Sequence, residues 1–386
     1  MIKHAGLQDE FPLTREWAYL ASASNGILPE RSRQHLARYF EEAHYLELAP
    51  RYRMFEDLQD IRGKAARLFG ARAENWALMP NTSFGLNAAA AALPLRAGEN
   101  VVLSDCEFPA NVYPWKNLAR KGVVIRWAKA PDRKSSVERL MAASDENTRV
   151  ISVSGVQFLN GYAPDLPRLA AFCRERDLWL CVDGIQGLGN RNWDVTALGA
   201  DFLSAGAQKW LLAPRGCGLF YLSDRALGAL RAGQLAPAYL GWLNWRQWKF
   251  SELLDYERPL TDEARLLEVG TYAFHDFACL SHSLDLIGEL GLPEIAAHSD
   301  ALLSLLLREL DARGLSERFR PSNRDDPPEC RSQIVALSCP DPLALWKRLA
   351  EAKIAVSPRE GGIRVAFHYY NSESDVERLL NGLAAC

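Results

Sequence analysis

Asp183 and Lys209 are the residues whose types and spacing point most directly to chemistry. Asp183 closes the apolar run LWLCV and precedes Gly184, Ile185 and Gln186, while Lys209 follows a second run, DFLSA, 26 positions later. Both runs read as strands of a parallel sheet, and ligands collect at the carboxyl edge of such sheets. A carboxylate at that edge can face a cationic ring, and a lysine beside it can condense with an aldehyde. One cofactor needs both. Pyridoxal 5′-phosphate (PLP) is carried on a lysine as a Schiff base and needs an acid to keep its pyridine nitrogen protonated. The protonated ring then accepts electrons from a carbanion at the α-carbon of an amino acid, and the released lysine acts as the local base. Lys209 lies in SAGAQKWLLAPRGCG, among small and apolar residues that favour a neutral, reactive amine. Taken singly, an Asp after a strand is equally a cap or turn residue, and a lone Lys is ordinarily solvated surface.

The cofactor's phosphate needs its own site. Asn81, Thr82 and Ser83 precede FGLNAAAAAL, a good helix former. Hydroxyls and free backbone N–H groups at a helix start bind anions. A plain N-cap is the alternative reading of these residues.

These side chains must be positioned by a suitable frame. Strands are expected at 101–104, 123–127, 150–153, 178–182 and 201–205, with helices between them at 112–121 and 166–176. Short apolar runs spaced by helices indicate βαβ units and a mostly parallel sheet covered on both faces. A further strand at 216–222 follows too closely for a helical crossover and is expected to run antiparallel. Residues 239–256 are crowded with aromatics, among them Tyr239, Trp242, Trp245, Trp248, Phe250 and Tyr256. Helices at 274–290 and 293–313 and a polar loop at 320–329 come next. Strands at 334–338, 354–357 and 363–367 alternate with helices at 343–352 and 374–383. The fold class is therefore α/β, with a large domain at 15–255, an aromatic linker at about 239–262, and a smaller C-terminal α/β domain at 256–386 joined by segment 1–14.

Bulk properties narrow the function classes. A formal charge of −3 gives no general pull toward nucleic acid or anionic membrane. No segment approaches the roughly 20 apolar residues of a membrane helix, and the N-terminus lacks a secretory pattern, so a cytoplasmic location is expected. The eight cysteines include no CxxC pair, which argues against a zinc knuckle or a dithiol redox motif. The glycines of GIQGLG lack dinucleotide-loop spacing.

The ordered set YLASASNGILP, NTSFGLN, DCEFPANVYPW, VSGVQFLNG, VDGIQGLG, GAQKWLLAPRGCG, EVGT and IRVAFHYYNSESDVERL spans nearly the whole chain. It resembles class V aminotransferases, the fold type I PLP group that includes cysteine desulfurases and isopenicillin N epimerase-like proteins. The resemblance implies roles. Asp183 pairs with the pyridine nitrogen and Gln186 with the ring phenolate oxygen. Thr82, Ser83 and Gln208 hold the phosphate, and Thr271 reaches it from the partner subunit of a homodimer. Phe108 stacks on the ring where desulfurases have a histidine, and Arg364 binds the substrate α-carboxylate, a task suited to a planar bidentate donor. Three departures matter. Gly206 stands where many relatives have a phosphate-binding serine, and Phe158 where many have an asparagine. KIAVSPREGGIRV lacks the persulfide cysteine that desulfurases carry before this arginine, which disfavours persulfide-type desulfuration.

The expected activity is that of a PLP-dependent enzyme acting on an amino acid, either a lyase (for example by carbon–sulfur β-elimination) or an aminotransferase. An epimerase or racemase of the same family is the alternative. A non-catalytic PLP-fold binding protein would have lost the lysine or the aspartate, and both are present. His275 and His368 read as structural. Arg215, Arg246 and Arg359 either read a second acidic group or are solvated. The tryptophan-rich segment either shapes the substrate pocket or packs a dimer interface, and the sequence leaves both open.

Overall fold

The computed structural model describes residue 2 and residues 6–42, 53–248 and 252–385; Phe250 and Cys386 lie outside the described residues. After a short strand β1 (Ala18–Tyr19), the chain lays down seven strands: β2 (Trp76–Met79), β3 (Asn100–Ser104), β4 (Val124–Ala128), β5 (Thr148–Ser154), β6 (Trp179–Asp183), β7 (Phe202–Gly206) and β8 (Gly218–Leu222). They form one sheet in the order β2-β8-β7-β6-β5-β3-β4. Strands β4, β3, β5, β6 and β7 pair in parallel, while β8 runs antiparallel to both β7 and β2. The antiparallel turn follows from the short link at 207–217, which has no room for a helical crossover. That link carries Lys209.

Period-two alternation builds a core on each face of the sheet. On one face Val102, Ile151, Val153, Leu180, Val182 and Leu203 pack with Ile61, Phe69, Leu169 and Phe277. On the other, Val101, Leu103, Val150, Cys181, Phe202 and Phe220 pack with Leu86, Ala89, Trp115 and Leu227. The helix expected at 112–121 is instead one α-turn, Tyr113–Lys116, followed by a 3₁₀ turn, Asn117–Lys121. Pro114 supplies no N–H in the first turn, and Gly122 at φ 79° stops the run before helix propagation can repay nucleation.

The C-terminal strands are β9 (Ile334–Ser338), β10 (Ile354–Ala355), β11 (Ser357–Arg359) and β12 (Gly362–Ala366). An antiparallel sheet β11-β12-β9 packs under helices Pro342–Glu351 and Glu373–Ala384, and β10 pairs in parallel with β1. Ala18 and Leu20 therefore share a core with Leu302, Leu306, Val335, Leu349, Ile363 and Leu379. Helix Phe274–Leu290 instead contributes Leu280, Leu284 and Ile287 to the core of the large sheet. The change of packing partner falls inside helix Leu292–Ala312, later in the chain than the change of composition at 239–265. Among the described residues no single helix is long and apolar enough to cross a membrane.

Candidate active site

Asp183 ends β6, where its backbone registers with Ser154 of β5 and Ser204 of β7. Its side chain is 2% exposed and accepts a hydrogen bond from the Ile185 N–H at 3.0 Å. Burial raises its carboxyl to about 6, opposed by that N–H and by the charge of Lys209. Lys209, in the loop after β7, lines the same cleft. Burial lowers its ammonium to about 8; Asp183 pulls it back up, and Arg364 and Arg359 push it further down. Its Nζ lies 5.8 Å from the centre of the Phe108 ring. A buried acid beside an amine that is partly neutral near physiological pH suits proton transfer and carbonyl condensation.

A second wall is helix Thr82–Ala92. Asn81 caps it by accepting from the Phe84 N–H at 2.9 Å, so the amides of Thr82 and Ser83 keep no acceptor among the described residues. The Thr82 hydroxyl accepts from the Gly206 N–H at 2.8 Å, which joins the helix start to the end of β7. Gly206 is needed for this close approach. A Cβ there would sit 2.5 Å from Gln208 Oε1 and 3.2 Å from Thr82 Oγ1. The space a serine would use is therefore taken by Gln208, which lines the cleft. Two free amides, the Ser83 hydroxyl and the Gln208 amide make an anion cradle at the positive end of a helix.

Opposite this cradle stands Arg364, on β12 and only 1% exposed. It donates to the Phe158 carbonyl at 2.6 Å and to the Ser24 hydroxyl at 2.7 Å, while its buried Nε has no partner among the described residues. Among the described residues it has no carboxylate partner, and burial together with Arg359 lowers it to about 9. Such a guanidinium suits an incoming carboxylate. The Phe158 side chain turns against Phe108, rings perpendicular at 5.0 Å, so residue 158 serves Arg364 through its backbone.

Gln186 is fixed by two partners. Its carbonyl accepts from the Trp210 indole N–H at 2.9 Å, and its amide donates to the Ala23 carbonyl at 3.0 Å. An indole nitrogen only donates, so the NH₂ end faces Ala23 and the cleft, ready to donate to a ring oxygen. His368 supports Trp210 from behind. It stacks on the indole at 5.3 Å, bonds the Trp210 carbonyl at 3.1 Å, and is held down to about 3 by burial, neutral and structural as expected.

Glu107 was missed in the sequence. Its buried carboxylate accepts from Asn111, from the N–H and O–H of Ser154, and from Gln157. It ties the Phe108 loop to the end of β5 beside Asp183. Ser24 and the Ala23 carbonyl were also missed, because nothing in a short N-terminal loop signals contact with Arg364, 340 positions away.

Thr82, Ser83, Phe108, Asp183, Gln186, Gln208, Lys209 and Arg364 thus line one cleft of about 310 Å³. Thr271 is exposed and does not line it. Arg359 lines it, whereas Arg215 and Arg246 do not. His275 lies beside Asp276 and the rings of Tyr39 and Phe40. The aromatic segment packs elsewhere: Trp248 stacks on Phe55 at 4.3 Å beside a second groove that contains the buried Arg62–Glu268 ion pair. Among the described residues no cysteine lines the cleft. The cradle that a Cβ at Gly206 would fill and the unpartnered Nε of Arg364 fit a ring that carries a phosphate and receives an amino acid.

A family model described as aminotransferase class-V matches residues 19–379. A probable cysteine desulfurase of Methanothermobacter thermautotrophicus is 26% identical over 401 residues, covering 96% of this chain and 94% of its own. The isopenicillin N epimerase of Amycolatopsis lactamdurans is 29% identical over 353 residues, covering 84% of each chain. A solved complex of the cystine C–S lyase C-DES with its product cysteine persulfide shares the fold, with a TM-score of 0.86 at 21% identity over 97% of this chain and 99% of that one. The family match runs through the seven-stranded and three-stranded sheets and every wall of the cleft, and the chain belongs to the class-V aminotransferases, as a fold type I enzyme that depends on pyridoxal 5′-phosphate.

Proposed function

We propose that this enzyme activates the α-carbon of an amino acid with Lys209 as its one working base, as a lyase or an aminotransferase. The observation that carries this reading is the cleft's inventory of proton-exchanging groups. Among the described residues that line it, the only ones besides the two arginines are Asp183 and Lys209. PLP, when bound, withdraws electrons from the substrate's α-carbon. Asp183 keeps a proton at the ring nitrogen, and Gln186 donates to the ring oxygen. Thr82, Ser83 and Gln208 hold the phosphate, and Phe108 packs on the ring. Arg364 orients the substrate by its α-carboxylate. Lys209 would take the α-proton and could deliver it to a neighbouring atom.

A single base suits transamination, in which one group moves a proton between neighbouring atoms, and β-elimination, in which it removes one. Epimerisation is the second reading, since a relative is named as an isopenicillin N epimerase. It calls for a proton source on each side of the α-carbon. Persulfide relay to a protein thiol has no support, because among the described residues no cysteine lines the cleft.

A homodimer belongs to the same proposal. Thr271 is exposed away from its own cleft, and Tyr239, Leu254 and Tyr256 are 68%, 81% and 79% exposed. A cytoplasmic location is supported by seven described cysteines that are all free thiols. The test is to give the holoenzyme a panel of amino acids and assay the products. Pyruvate with ammonia identifies β-elimination, and a keto acid with pyridoxamine phosphate identifies transamination. Inversion at the α-carbon without either product would replace this reading with the epimerase.

A further inference from the structure

Arg359 and Arg364 both donate to one neutral group, the hydroxyl of Ser24, at 3.0 and 2.7 Å. That hydroxyl also hydrogen-bonds Ser357 at 2.8 Å, which fixes it between the two cations without neutralising either. Arg359 gives its other hydrogen bond to the Pro358 carbonyl and has no acidic partner among the described residues. Basic side chains of the adjoining groove are different. Arg133 pairs with Glu360, Lys134 with Asp326 and Arg320 with Asp325. Among the described residues, the only uncompensated cations at this end of the cleft are therefore these two arginines. Like charges held about one hydroxyl repel, more strongly where water is excluded; burial holds both below the ordinary arginine range, and the charge of Arg359 pushes Arg364 further down.

One α-carboxylate neutralises one of them. We infer that Arg359, set by Ser24, is a second anion subsite, and that the substrate is an amino acid with a distal carboxylate. This inference rests on the amino-acid reading above. Arg359 lines both the cleft and the adjoining groove, so it stands where a side chain leaving the α-carbon would arrive. A carboxylate matches the planar edge of one guanidinium. A phosphate dianion would leave oxygens without donors, since the nearby lysine and arginines are committed to acids.

The test uses the PLP-loaded enzyme and reads the change of its visible absorption band on adding aspartate, glutamate or 2-aminoadipate, each against its side-chain amide. The acid of at least one pair should bind about tenfold or more tightly than its amide. Arg359→Ala and Arg359→Gln should remove that preference to within about twofold, and Arg359→Lys should restore part of it. Arg364→Ala should weaken acid and amide alike. Equal binding of acid and amide in every pair would overturn the second subsite alone. So would loss of both by the same factor in Arg359→Ala, which would make Arg359 another arm on the α-carboxylate. No spectral change with any amino acid would instead overturn the amino-acid reading itself.

Discussion

Raising the pH of the apoprotein should switch on its capture of PLP with a midpoint near that of Lys209. Only the neutral amine attacks the aldehyde. Burial brings Lys209 from 10.5 to about 8. At pH 7.5 about a quarter of it is then neutral, against roughly one part in a thousand for a lysine at the ordinary value, an advantage of about two hundredfold. The sign follows from the amine's charge: capture is slow well below pH 8, rises through it and levels above about 9. Two variants move the midpoint in opposite directions. Asp183→Asn removes the negative charge that supports the ammonium, so the midpoint falls. Arg364→Ala removes a positive neighbour, so it rises. Rapid mixing of apoprotein with PLP, followed at the visible band, gives the rate at each pH. A rate that keeps climbing toward pH 10, or an Asp183→Asn midpoint that moves upward, would refute the argument.

Three further outcomes follow from the same site. A carboxyl raised from 3.8 to about 6 binds its proton more tightly when folded, so ionising it costs the apoprotein stability as pH rises from 3.8 through 6. Asp183→Asn should therefore stabilise the apoprotein at pH 7 by up to about 3 kcal/mol and by little near pH 4; urea unfolding that shows no gain at pH 7 contradicts this. A Cβ on Gly26 would lie 2.2 Å from the Lys209 carbonyl and 2.3 Å from Leu212 Cδ2. Gly26→Ala should cost about 1–3 kcal/mol and slow PLP capture, and an unchanged melting temperature would show that the loop yields freely. Glu107→Ala should cost roughly 3 kcal/mol, because the donors of Asn111, Ser154 and Gln157 lose their acceptor, and denaturation at parental urea would contradict it.

How much of this was legible in the sequence depended on the range of the interaction. Strands β5, β6 and β7 are buried on both faces and read as apolar runs, and the short link after β7 revealed the reversal of β8. Asp183 and Lys209 were visible because they sit just past those runs. β2 is only four residues long and was missed. In the sequence Arg359, in the Arg-Glu-Gly-Gly turn, is open between a solvated residue and one that reads a second acidic group; the β11–β12 hairpin folds back and carries its guanidinium into the cleft. Ser24 and Glu107 act across segments far apart in sequence, where no local pattern marks a partner. Helix Phe274–Leu290 illustrates the same limit, since its apolar face shows that it is buried but not which sheet buries it.

The central claim is that Lys209 carries the cofactor. Reduction of the PLP-loaded protein with borohydride, digestion and mass analysis of the peptides test it most directly. The account predicts one reduced phosphopyridoxyl group, on the peptide that contains Lys209, and none in Lys209→Ala. A label on another lysine, or equal labelling of the Lys209→Ala variant, would contradict it.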